Sequence, residues 1–283
     1  MRKGNKARIQ WHPGFIAAMN LEFIEQRGEM TMEREYNLNL KPLEIDLLLI
    51  KKSADLRINN EIGHFFRRYN IIEYKSPMDA VNIDVIYKCI AYAALYKAYG
   101  ESADGIKADD VTISVVCWAA PRKLFRYLGG HGIMLEKRYQ GIYCVDQGLL
   151  FPIQIVVAKE LNKENHVWLR ALSNEMKKED YVRLACAVEN LDGKVNREFA
   201  ESVLQVSIKA NNKTLKEDKA MSCEALRELF EPELKQSWQE GKKKGVNAMA
   251  KTMNAKGYRP EEIIDIIMQS FHVTQEEASK YLK

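Results

Sequence analysis

The chain has 283 residues, of which 46% are hydrophobic and 29% charged, with a net charge of +4; this composition excludes a disordered or fibrous chain and provides enough apolar material for a large core. The small net charge excludes a polybasic chain but permits a nucleic-acid partner through a local patch. Five scattered cysteines with no C-x-x-C pair exclude a disulfide framework or a zinc ribbon and point to a reducing, cytoplasmic setting, and no apolar run is long enough for a membrane span.

The basic start, "MRKGNKARIQWHPGF", has no apolar run behind it and does not read as a signal peptide. "WHPGFIAAMNLEFIEQRG" (11–28) predicts a helix, with Pro13 in its first turn and Gly28 as its stop. "TMEREYNLNL" (31–40) predicts a half-exposed strand, and "PLEIDLLLIKK" (42–52) a central buried strand carrying one carboxylate, Asp46. "SADLRINNEIGHFFRR" breaks the pattern and reads as an insertion, after which "YNIIEYKS" resumes strand chemistry until Pro77.

A long helix over 79–100 follows, with Ile83, Ile86, Ile90 and Ala94 as its apolar face and Asp84, Lys88 and Tyr92 on a polar one. "DDVTISVVCWAAP" is a clear strand, "RKLFRYL" a basic-aromatic helix or loop, and "QGIYCVDQ" and "LFPIQIVVAKEL" two further strands. Beyond about residue 167 the strand signals fade. Helices are expected over 166–176, 179–191, 196–208 and 223–241, then a hinge at "GKKKG" (241–245), then two short helices around a turn in 259–282. The fold class expected is therefore mixed α/β: a mixed sheet flanked by helices in the order αβββαβ, with a C-terminal helical region.

Chemistry concentrates at "NIIEYKSP". Glu-x-Lys occurs five times, but the other four copies lie in helical or polar-loop stretches, where residues two apart do not share a face. On a strand they do, so Glu73 and Lys75 point the same way and Tyr74 the other. Asp46 sits in an apolar strand where a lone charge is costly. If the two strands are neighbours, Asp46 and Glu73 converge beside Lys75. Two carboxylates and a backbone carbonyl make an oxygen site for Mg²⁺ or Mn²⁺, which activates water and stabilises charge on a phosphoryl oxygen. Glu22 or Glu25 on the preceding helix could add an acidic ligand; spacing does not choose between them. The bland alternatives are a solvated strand end, a buried Asp46–Lys75 ion pair, and a Glu22 that faces water.

"PLEID" followed by "IIEYKSP" resembles the motif of the PD-(D/E)XK nuclease superfamily, and the αβββαβ order matches its restriction-endonuclease-like core. The phrasing of "WHPGFIAAMNLEF", "NEIGHFFRRYNIIEYKSP" and "NIDVIYKCIAYAALYK" is similar to the bacterial branch described as PD-(D/E)XK nuclease family transposases, relatives of recombination-promoting nucleases. The resemblance implies a magnesium-dependent endonuclease hydrolysing DNA phosphodiester bonds. Asp46, Glu73 and the Tyr74 backbone carbonyl would be metal ligands, Lys75 would serve the nucleophilic water, and Glu22 would fill the helix acidic position. One departure is that Pro42 precedes Asp46 by four residues instead of standing next to it.

Lys88 and Tyr92 are candidates to face the DNA backbone, and Arg122, Lys123 and Arg126, interleaved with Phe125 and Tyr127, to contact phosphates; a solvated face is the alternative for each. The five histidines have no ligand spacing and read as structural or surface residues. The organisation expected is a nuclease-like domain over 10–175, a helical extension over 176–240, and a hinge with a small helical module over 241–283. The C-terminal helices would serve homodimerisation or DNA docking. The rival function is a catalytically inactive nucleic-acid-binding or interaction protein on the same scaffold; an RNA nuclease is a third reading.

Overall fold

The computed structural model describes residues 9, 11–34, 47–217, 246–247, 249–250, 252–254, 258–271 and 274–279. The chain divides into two compact units, Met1–Ala220 and Met221–Lys283. In the first, α1 (Trp11–Glu22) leads into β1 (Met30–Arg34) and β2 (Leu47–Lys52). After the insertion come β3 (Tyr69–Tyr74), α2 (Ile83–Ala98), β4 (Val111–Cys117) and α3 (Arg122–Gly130). The strands β5 (Glu136–Tyr139), β6 (Ile142–Val145) and β7 (Ile153–Val157) and the helices α4 (Val167–Ala171), α5 (Lys178–Glu189) and α6 (Lys194–Glu217) complete it.

The strands form one sheet in the order β1-β2-β3-β4-β7-β6-β5. β3, β4 and β7 run parallel at its centre, and every other pairing is antiparallel. The central strands are rich in Ile and Val and buried on both faces, as parallel strands covered by helices should be. This is the mixed α/β architecture expected, a sheet flanked by helices.

Strand alternation sorts the side chains into two layers. Leu49, Ile71, Ile113, Val115 and Ile155 pack with Ile86, Cys89 and Ala93 of α2 and Leu124 and Leu128 of α3. On the opposite face Tyr74 stacks on Phe15 of α1, ring centroids 4.4 Å apart. α1 in turn packs on α4 and α6. A Cβ on Gly14 would come within 2.7 Å of the Val206 side chain, so glycine lets α1 and α6 approach this closely.

Several elements differ from their sequence-based bounds. α1 stops at Glu22, short of Gly28, because the Asn60 amide from the insertion donates to the Glu22 carbonyl at 3.1 Å and satisfies a group the next turn would otherwise use. The strand β5 is additional to those expected: all four of its residues are exposed, so it has no alternation to read. The expected α2 stripe of Ile83, Ile86, Ile90 and Ala94 packs on the core, with Ile86 fully buried and the other three partly buried, and the face extends to the buried Cys89, Tyr92, Ala93 and Tyr96. α5 and α6 belong to the same unit as the sheet.

In the second unit α7 (Pro260–Phe271) and α8 (Gln275–Ser279) form the expected helical pair, with Val246, Ala250, Ile263, Ile267 and Ala278 buried together. Asp46, Pro42, the helix expected over 223–241 and the 241–245 hinge lie outside the described residues. Among the described residues no helix is long and apolar enough to cross a membrane.

Candidate active site

β3 ends at Tyr74, and Pro77, which has no N–H to offer a ladder, follows three residues later. Ser76 then donates to Asp79 through its backbone N–H (3.2 Å) and its hydroxyl (2.6 Å), turning the chain toward α2. The Asn82 side chain caps that helix by accepting from the Val85 N–H at 3.1 Å. These two turns place the first turns of α2 over the end of β3. The Lys75 backbone N–H donates to the Val116 carbonyl at 2.8 Å, so Lys75 lies at the carboxyl end of the parallel strands. Ligands of α/β sheets bind at that end.

Glu73, next to last in β3, stands opposite Leu47 of β2 and beside Val115 of β4. Its side chain is 3% exposed. One oxygen, Oε1, lies 2.7 Å from Lys75 Nζ and 3.7 Å from Lys88 Nζ. The other, Oε2, is buried with no hydrogen-bond partner among the described residues. Burial alone would lower the Lys88 ammonium pKa, but the Glu73 carboxylate, with Tyr92 and Cys89, turns the net shift upward. Burial, seconded by Glu73, pushes the neighbouring Cys89 thiol up to about 12 against the opposing pull of Lys75 and Lys88; this cysteine stays a neutral thiol and is no nucleophile.

Glu73 and Lys75 stand together as strand alternation predicts, and Lys88 of α2, expected only as a candidate to face DNA, also reaches the Glu73 carboxylate. Tyr92 is corrected: it is 3% exposed and packs in the core, with Lys88 5.4 Å above its ring, so it has no surface to offer DNA. The helical spacing that joins it to Lys88 holds, but its ring turns inward. Tyr74 faces the opposite layer. Its phenolic oxygen is buried without a partner among the described residues, and burial, with Asp79 and Cys117 adding to it, raises its pKa far above the ordinary value.

The structure does not bring Glu22 to Glu73. Glu22 belongs to α1, on the Tyr74 face, whereas Glu73 faces α2. Both Glu22 oxygens are engaged: Oε1 accepts from the Leu169 N–H (3.2 Å), and Oε2 from Asn60 Nδ2 (3.1 Å) and His166 Nδ1 (2.8 Å). The other ring nitrogen of His166 lies 3.2 Å from Glu61 Oε2. Both ring nitrogens face carboxylate oxygens, and the ring can donate to both only when it carries two protons and a positive charge. Burial opposes that charge, but Glu22 first and Glu61 second raise the His166 pKa overall. His166 and Glu22 stand 144 residues apart, and no local spacing announces the pair.

Arg122, Lys123 and Arg126 are exposed along α3, and their side chains have no ion pair or hydrogen bond among the described residues. Leu124 and Leu128, on the other side of the helix, pack in the layer that contains α2. The three cations therefore share a sheet face with Glu73, on the helix that follows the carboxyl end of β4. Among the described residues no cluster of three or more His, Cys, Asp or Glu side chains could hold a metal ion; Asp46, the second expected ligand, is not among them. Neither a protein-family model, nor a curated protein, nor a solved structure matches the chain.

Proposed function

We propose that the chain is a metal-dependent nuclease that hydrolyses DNA phosphodiester bonds, with Glu73 and Lys75 at the centre of its site. The observation that carries this reading is the half-satisfied Glu73 carboxylate: one oxygen held by two ammonium groups, the other buried and without a partner among the described residues. A buried acceptor without a partner costs roughly 1–3 kcal/mol, and a divalent cation would relieve that cost. Glu73 Oε2 fits one position of an oxygen site for Mg²⁺ or Mn²⁺. Asp46, which precedes Glu73's strand partner Leu47 in the chain, is the proposed second ligand, and the Tyr74 carbonyl the third.

Such an ion would supply a lowered water pKa and charge stabilisation on the phosphate. Lys75 orients the attacking water and shields the phosphate, Lys88 shares the Glu73 charge, and the α3 cations hold the flanking backbone. The link to mobile elements or recombination rests on the sequence resemblance.

The test is a cleavage assay on single- and double-stranded DNA with Mg²⁺ and Mn²⁺ titration. Loss of cutting in Lys75→Ala, Glu73→Gln and Asp46→Ala is the expected result. One observation favours the rival, an inactive nucleic-acid-binding or interaction protein: Lys75 already sits at ion-pair distance from Glu73. A wild type that binds neither metal and cuts neither substrate establishes that rival.

A further inference from the structure

The outer face of α3 carries more than charge. Lys123, Arg126 and Tyr127 repeat at helical spacing with Arg122, and all four are exposed. Tyr127 is 37% exposed, and one face of its ring is stacked on His131, centroids 4.1 Å apart and planes 26° apart. His131 is fixed in turn, its Nδ1 lying 2.8 Å from the Tyr127 carbonyl. The ring pair ends a stripe about 13 Å long, at 1.5 Å rise per residue from Arg122 to His131. A cation stripe without partners among the described residues, ending in a pre-ordered aromatic stack, is chemically complementary to a phosphate backbone with one unstacked base: the cations take phosphates, and a ring face takes any base. A duplex keeps its bases stacked inside and would use only the charges.

We propose that this face binds single-stranded DNA, with Arg122, Lys123 and Arg126 on phosphates and the Tyr127–His131 stack against a base. The proposal rests on the nuclease reading and names the form of its substrate. A strand lying along α3 is held on the same side of the sheet as Glu73, with the charges nearer the carboxyl end of β4 and the base platform farther along the helix.

The test is fluorescence anisotropy on the full chain, in EDTA, with an oligothymidylate of about 15 nucleotides and with a matched duplex. Tyr127→Ala should weaken oligothymidylate binding about tenfold and leave duplex binding unchanged, while Tyr127→Phe, which keeps the ring, should bind as the wild type does. The combined Arg122→Ala, Lys123→Ala, Arg126→Ala variant should weaken both and flatten the single-strand salt dependence by about two units of logarithmic slope. Unchanged oligothymidylate binding in Tyr127→Ala, or an equal loss on the duplex, overturns the proposal. Because no metal is present, this result is independent of cleavage: a chain that binds as described but never cuts defeats the nuclease reading alone, and one that cuts without any dependence on Tyr127 defeats the stacking surface alone.

Discussion

Two carboxylates are buried on opposite faces of the sheet, and they are held differently. Glu22 is saturated: both oxygens accept hydrogen bonds from the insertion, from α4 and from the His166 ring, which is itself held by Glu61. Glu73 has two lysines on one oxygen and, among the described residues, nothing on the other. A saturated buried acid has no valence left for a ligand, so its work is to join parts of the fold. A half-saturated one retains lone pairs and two cations beside them, which is what the proposed exchange of partners for metal and substrate requires. The two sites should therefore separate under mutation, with stability lost at one and activity at the other.

The largest stability effect is expected at His166. Replacing it with Ala strands Glu22, and Glu61 beside it, without the cation that compensates them, at a cost of about 3–5 kcal/mol. Urea unfolding followed by circular dichroism measures this. The same ring sets a pH dependence. Its folded-state pKa is raised, so its stabilisation is fully present below the unfolded value near 6.5 and is lost as pH rises through the higher folded value. Wild-type stability should fall with pH across that window, and His166→Gln should lack this component. A pH profile identical in the two proteins would show that the ring is not charged in the fold.

Next in size is Gly14→Ala. The added methyl would meet Val206 at 2.7 Å and Leu172 at 3.3 Å, and forcing α1 off α6 should cost about 1–3 kcal/mol. Any cleavage activity should survive at temperatures where the variant stays folded, because α1 covers the face away from Glu73. An activity lost in step with Glu73→Gln would mean that the two faces are not independent. Glu73→Gln itself should change stability by no more than about 1 kcal/mol, since Lys75 and Lys88 can both turn to water, while abolishing the proposed metal-dependent cutting.

How much of this is legible in the sequence follows from how local each cause is. β2, β3, β4 and β7 declare themselves through apolar runs, and the pairing of Glu73 with Lys75 follows from strand alternation alone. Lys88 is legible as a helix residue near the strand end, though not as a partner of Glu73. The Glu22 environment is illegible because its donors come from residues 60, 166 and 169, which only the folded sheet assembles. Tyr92 misleads because a phenol on the edge of an apolar face suits either side, and the packing of α2 against β4 decides it. β5 gives no signal because both its faces meet solvent, leaving backbone pairing with β6 as its determinant.

The smallest effect separates the two lysines. Lys88 is 45% exposed and 3.7 Å from Glu73, whereas Lys75 is 21% exposed and 2.7 Å away. An exposed, loosely held pair contributes roughly 0.2–1 kcal/mol, so Lys88→Ala should barely move the unfolding midpoint and Lys75→Ala should move it further. In a double-mutant cycle with Glu73→Gln, the coupling energy should be larger for Lys75 than for Lys88. The reverse order would mean that Lys88, from α2, is the ammonium that holds this acid in the fold, and that Lys75 is the one at liberty to meet a ligand.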